Sequence, residues 1–131
     1  MSNGIEHLNE GVDGSSLHDL DDHITRIQGA PTPHEFIDQA QQFLSQQGGT
    51  QFDPLTMIAL ASLLFSLYTY FKDHHAARFM VKRAAANPHG FAAMLVHKKV
   101  EDRLPSQLKG IPNVAAGVTQ LTDAALDKVG V

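Results

Sequence analysis

The chain of 131 residues contains no cysteine and no tryptophan. Without cysteine it forms no disulfide, offers no thiolate to a metal and has no thiol nucleophile. Absence of cysteine fits either side of a membrane and leaves the redox compartment open. Tyrosine is scarce, with Tyr68 and Tyr70 the only two. Positive charge is scarce in the first part: residues 1–54 carry nine acids against one base, Arg26, a net of −8. Residues 55–131 reverse this, with nine bases against five acids, a net of +4. Such asymmetry predicts different surroundings for the two ends.

Signatures of catalysis are missing as well. There is no Gly-x-Ser-x-Gly elbow and no phosphate-binding glycine loop. The carboxylates of the first half lie in amphipathic, solvated segments, and nothing pairs two of them at a shifted pKa. Eight histidines raise the question of metal, but no His-Glu-x-x-His motif occurs. His74 and His75 are adjacent, so on a helix they point about 100° apart. Asp19, Asp22 and His23 fall within one turn but lack a second ligand set. The expectation is a non-enzymatic chain with no catalytic residue, no metal ligand and no cofactor.

Residues 1–22 have neither a basic start nor an apolar stretch, which argues against a secretory leader. The first fifteen residues read as a loose polar arm. Leu17, Leu20, Ile24 and Ile27 then recur at helical spacing behind Ser16, until Gly29 and Pro31. Thr32-Pro33-His34-Glu35 reads as a capping box with proline at the first helical position. Phe36, Ile37, Ala40, Phe43 and Leu44 make one apolar face, ended by Gly48-Gly49. Asp53-Pro54 repeats the start signal. Nothing charged occurs from Leu55 to Phe71, and no glycine or proline intervenes before Pro88. One helix from 54 to 86 is therefore predicted, about 50 Å long at ~1.5 Å per residue, longer than a compact domain of this size is wide. After Asn87-Pro88, the residues Phe91, Met94, Leu95 and Leu104 predict a further helix that Pro105 stops. Gly110, Pro112 and Gly117 loosen the next stretch, and Val114, Val118, Leu121, Ala125 and Leu126 predict a last, weakly amphipathic helix. No run alternates long enough for a strand.

The fold expected is all-α, a long central transmembrane helix flanked by short amphipathic helices. Its regions are an acidic arm with two short helices (1–53), the long helix (54–86, span 55–71 and basic extension 72–86) and a basic helical region (87–131). Leu55, Met57, Ile58, Leu60, Leu63, Leu64, Phe65, Leu67 and Phe71 would face lipid, their run near the short end of what crosses a bilayer. Phe52 at one end and Tyr68, Tyr70 and Lys72 at the other would anchor it at the interfaces. Ala59, Ser62 and Ser66 form a small-residue stripe suited to helix association in lipid, hence to a homo-oligomer. Arg78, Lys82 and Arg83, with Lys98, Lys99 and Arg103, would meet lipid headgroups or nucleic acid phosphates. Bases directly after the span place the C-terminal half inside and the acidic arm outside.

This plan of acidic arm, single span and basic inner half resembles the small membrane proteins of tailless bacteriophages with an internal lipid bilayer. That resemblance is architectural and assigns no individual residue. It implies a structural component anchoring a larger assembly, such as a membrane-containing virion, with protein partners, lipid and nucleic acid as candidates for contact. The same plan suits an accessory subunit of a secretion or DNA-ejection machine. The rival expectation is a soluble helical adaptor or chaperone that buries residues 55–71 inside a bundle.

Overall fold

The structure, a computed structural model, describes residues 19, 20, 22–24, 33–47 and 53–131. Among these, all regular structure is helical. The elements are α1 (His34–Ser45), α2 (Pro54–Asp73), α3 (His75–Ala86), α4 (Phe91–Asp102), a 3-10 turn (Ser106–Leu108) and α5 (Val114–Lys128). α1 and α2 pair, α3 and α4 form a second hairpin, and α5 packs on α2, α3 and α4. The helical residues 19, 20 and 22–24 contribute Leu20 and Ile24 to the core, as their spacing predicts. Leu17, Ile27 and Thr32 lie outside the described residues.

α2 starts where the sequence places it. Asp53 is the N-cap and accepts the Thr56 backbone N–H at 2.8 Å, with Pro54 next in the chain. Hydrogen bonds from Thr56 hold the Asp53 carboxyl below the usual carboxylate range. α1 starts one residue later than its motif suggests. Pro33 is the cap residue rather than the first helical one, and its own side chain makes no capping hydrogen bond.

The predicted single helix over 54–86 is instead two helices, and His74 is the reason. Its Nδ1 lies 2.7 Å from the Tyr70 carbonyl oxygen. A carbonyl only accepts, so Nδ1 carries the proton and donates. That carbonyl is the one the His74 backbone N–H would take in an unbroken helix. The imidazole replaces it, stacked on the Tyr70 ring at 4.0 Å and 8°, while the His74 backbone is extended (φ −123°, ψ 91°). The His74 carbonyl then accepts from the Arg78 N–H at 2.8 Å and opens α3. One residue thus closes one helix and caps the next, so the chain folds back instead of projecting.

Folding back puts Arg78 of α3 against α5. The guanidinium, 5% exposed, donates from Nη1 to Asp123 at 2.5 Å, from Nη2 to Asp127 at 2.8 Å and from Nε to the Val131 carbonyl at 3.0 Å. A buried cation needs such partners, because desolvation alone opposes its burial. Across the molecule, Phe43 of α1 lies against Gly117 of α5. A Cβ at Gly117 would collide with Cε1 and Cζ of the Phe43 ring. Gly117 therefore does not loosen the chain as its type suggests. It sits inside α5 and makes room for an aromatic ring.

Two outcomes are expected for stability, both read by denaturant unfolding. Gly117→Ala destabilises by about 1–3 kcal/mol through overpacking, although alanine in a helix is otherwise favoured by ~1 kcal/mol. Phe43→Leu in the same chain restores part of the loss, and a stabilising Gly117→Ala contradicts the contact. At the ion cluster, Asp123→Ala costs about 3 kcal/mol by leaving a buried charge short of a partner. Asp127, whose side chain is 53% exposed against 19% for Asp123, costs about 1 kcal/mol or less. Equal losses contradict this ranking.

Candidate interaction surface

The residues expected to face lipid are for the most part spoken for inside the molecule. Leu60, Leu63, Leu64, Leu67 and Phe71 are buried, Met57 and Phe65 are half-buried, and only Leu55 and Ile58 of that set are exposed. Phe65 packs edge-on against Phe36 of α1, centroids 5.8 Å apart. Of the expected anchors, Tyr70 is buried in the core beside Phe71. Tyr68 is half-buried on Phe36, with the exposed Lys72 ammonium 5.9 Å from its ring centroid. Phe52 lies outside the described residues. The small-residue stripe is also turned inward. Ser62 and Ser66 are buried and Ala59 is half-buried against the core, so the close approach they permit is to the chain's own helices.

Arg78 leaves the expected basic surface, because its guanidinium is enclosed by α5 acids. The other cations stay outside. Lys82, Arg83, Lys98 and Arg103 are exposed and Lys99 is half-buried. Lys82 and Lys98 each stand 4.0 Å from a carboxylate, Asp127 and Asp102. Such exposed pairs are weak and screened by salt, so these ammonium groups remain accessible to a partner.

The register of α4 brings company to these cations. The residues Phe91, Met94, Leu95 and Leu104 that predict this helix divide, with Leu95 packed against the core. The helix buries Ala93, Val96 and Val100, followed by Leu104, and exposes Phe91 (66%) and Met94 (57%). On α3, Phe79 is likewise exposed (48%), with the Arg83 guanidinium 5.6 Å from its ring centroid. The tip between the helices, Asn87-Pro88-His89, is exposed as well. From His74 to Val100 the sequence has no acid at all, five bases and four histidines. With Arg78 neutralised from α5, the outer side of this hairpin combines aromatic, thioether and cationic groups. Two signals in the sequence point to it: the acid-free run, and the Ala93, Val96, Val100, Leu104 spacing that competes with the bulkier set.

Among the described residues, two clefts mark the surface. One of about 220 Å³ is lined by Asp19, Asp22, His23, Tyr70 and His74. The Thr69 hydroxyl donates to the Ser66 carbonyl at 2.9 Å, so at 3.1 Å it accepts from His23 Nε2. Among the described residues no three His, Asp or Glu side chains are arranged to hold a metal ion. The other, of about 590 Å³, runs between α1, the Tyr68 region of α2 and the end of α5. Among the described residues that line them, neither sets a serine, threonine or cysteine beside a base.

His97, half-buried on α4, is pushed below the usual imidazole range by desolvation, with Glu101 opposing. In the folded chain it binds its proton at lower pH than in the unfolded chain. Acidification through about pH 6.5 therefore lowers stability until the folded pKa is passed. NMR titration places His97 below its value in the unfolded chain, and His97→Gln flattens the stability slope in that window. An unchanged slope contradicts the assignment.

No protein-family model, no curated protein and no solved structure matches the chain, so its function is argued from this geometry.

Proposed function

We propose that the chain is a non-enzymatic helical interaction module, a part fastened to a larger assembly, with α2 as the core of its own bundle. One observation carries the reading: Leu60, Ala61, Ser62, Leu63 and Leu64 are all buried. Five consecutive helix positions, about 100° apart, point all round the axis, so α2 has protein on every side there. Each fully buried leucine contributes roughly 1.5–3 kcal/mol. The acidic first part, net −8, has the charge to attract a basic protein partner.

A membrane-anchoring role is the second reading. α2 is long and apolar enough to cross a bilayer, 56% of its apolar window is buried, and Leu55 and Ile58 are exposed near its start. In that reading the basic half faces the interior and the acidic half lies outside. Core helices of water-soluble bundles share this length and composition, and the enclosure of Leu60–Leu64 favours the bundle.

Expression without detergent separates the two. The bundle reading expects a single monodisperse species that unfolds cooperatively and is released from membranes by alkaline carbonate. Leu63→Arg then abolishes cooperative unfolding, since an unpaired buried charge costs several kcal/mol against a total stability of about 5–15 kcal/mol. A protein recovered only in detergent and retained after carbonate overturns the reading.

A further inference from the structure

We propose that the α3–α4 hairpin end docks on the surface of an anionic lipid bilayer. Phe91 and Met94 enter the boundary between headgroups and acyl chains, and Lys82, Arg83 and Lys98 meet lipid phosphates. The proposal rests on reading α2 as the core of the bundle. It gives the chain a peripheral route to a membrane that does not use α2.

Three observations carry it. First, of the six large hydrophobic side chains exposed among the described residues, three stand on this hairpin: Phe79, Phe91 and Met94. α4 buries the small Ala93 and leaves these bulkier neighbours in water. Water-exposed phenylalanine and methionine on adjoining helices form an apolar edge that a soluble surface otherwise avoids. Second, the hairpin's own run carries charge of one sign, with Asp127 and Asp102, 4.0 Å from Lys82 and Lys98, as weak and salt-screened neighbours. No acid occurs from His74 to Val100, and the exposed cations Lys82, Arg83 and Lys98 flank the apolar groups. Third, each of the two helices carries these groups on one side. On α3 the exposed positions His75, Phe79, Lys82, Arg83 and Ala86 fall on one side of the helix, and on α4 Phe91, Met94 and Lys98 do the same. Apolar groups backed by Lys and Arg on one side of helical structure are the composition of interfacial membrane binding.

The same features argue against nucleic acid. Phosphate neutralisation needs cations but gains nothing from a thioether or from a phenylalanine at the hairpin end. The Arg83 guanidinium, 5.6 Å from the Phe79 ring centroid, already takes one face on which a base would stack. A bilayer needs only the tip, since the field of anionic lipid falls off within a Debye length.

The test is vesicle cosedimentation of the full chain. One set of vesicles is phosphatidylcholine alone and the other contains about 30 mol% phosphatidylserine. The chain binds the anionic vesicles and not the neutral ones. Phe91→Ser with Met94→Ser, and separately Lys82→Glu with Arg83→Glu, each lower the partition coefficient by about tenfold or more. All four positions are exposed, so thermal unfolding stays cooperative, which separates lost binding from lost fold. No binding to anionic vesicles overturns the inference and leaves the bundle reading intact. So does binding that the charge variant abolishes and the Phe91/Met94 variant leaves unchanged, the pattern expected for a phosphate surface such as duplex DNA. Vesicle binding that resists alkaline carbonate contradicts the bundle reading instead, because a peripheral contact is released there.

Discussion

A helix with apolar side chains on every side must be surrounded on every side. That requirement organises the molecule. α2 has little amphipathic character, and through Leu60–Leu64 no direction round its axis is left for water. One neighbouring helix could cover only a stripe. α1 covers one flank, α5 and the 3-10 turn cover others, and α3 returns from the C-terminal end. The covering helices have their own polar faces, so the exterior stays charged while the centre carries Leu60, Leu63, Leu64, Leu67 and Phe71.

Enclosure depends in turn on where the chain bends. An unbroken helix through residue 86 would carry Arg78 away from α5. The His74 imidazole takes the Tyr70 carbonyl, the backbone extends for one residue, and α3 begins at a new angle. The bend delivers Arg78 to Asp123 and Asp127 near the C-terminal end of α5. Arg78 thereby joins the middle of the chain to its end, with the Val131 carbonyl as third acceptor. Removing this cation from the surface leaves Lys82 and Arg83 as the exposed cations of α3.

Much of the secondary structure is written in local signals. Asp53-Pro54 marks the start of α2, Asn87-Pro88 the break before α4, and the Phe36, Ala40, Phe43, Leu44 pattern the buried face of α1. Three features are not legible this way, each because a partner elsewhere in the fold decides it. The stop at His74 needs a side-chain hydrogen bond to Tyr70, whereas residue type alone favours continuation. Gly117 looks like a breaker until the ring of Phe43 occupies the space its side chain would fill. In α4 two apolar sets compete. The smaller one faces inward because close packing beside α3 and α5 admits Ala93 more readily than Phe91. The candidate surface was legible in part: Lys82, Arg83 and Lys98 stand out by charge, Arg78 does so misleadingly, and Phe91 and Met94 are hidden by their hydrophobicity. An apolar run of this length also has two physical solutions, lipid or protein, and composition weighs them almost equally.

The account turns on protein, not lipid, surrounding the middle of α2. Native-state hydrogen exchange of the full chain in detergent-free buffer measures this directly. Enclosure predicts that the amides of Leu60 to Leu67 exchange only through global unfolding and are among the slowest in the molecule, unchanged when lipid is added. Fast exchange of these amides in water, with protection appearing only on addition of detergent or bilayer, would contradict it.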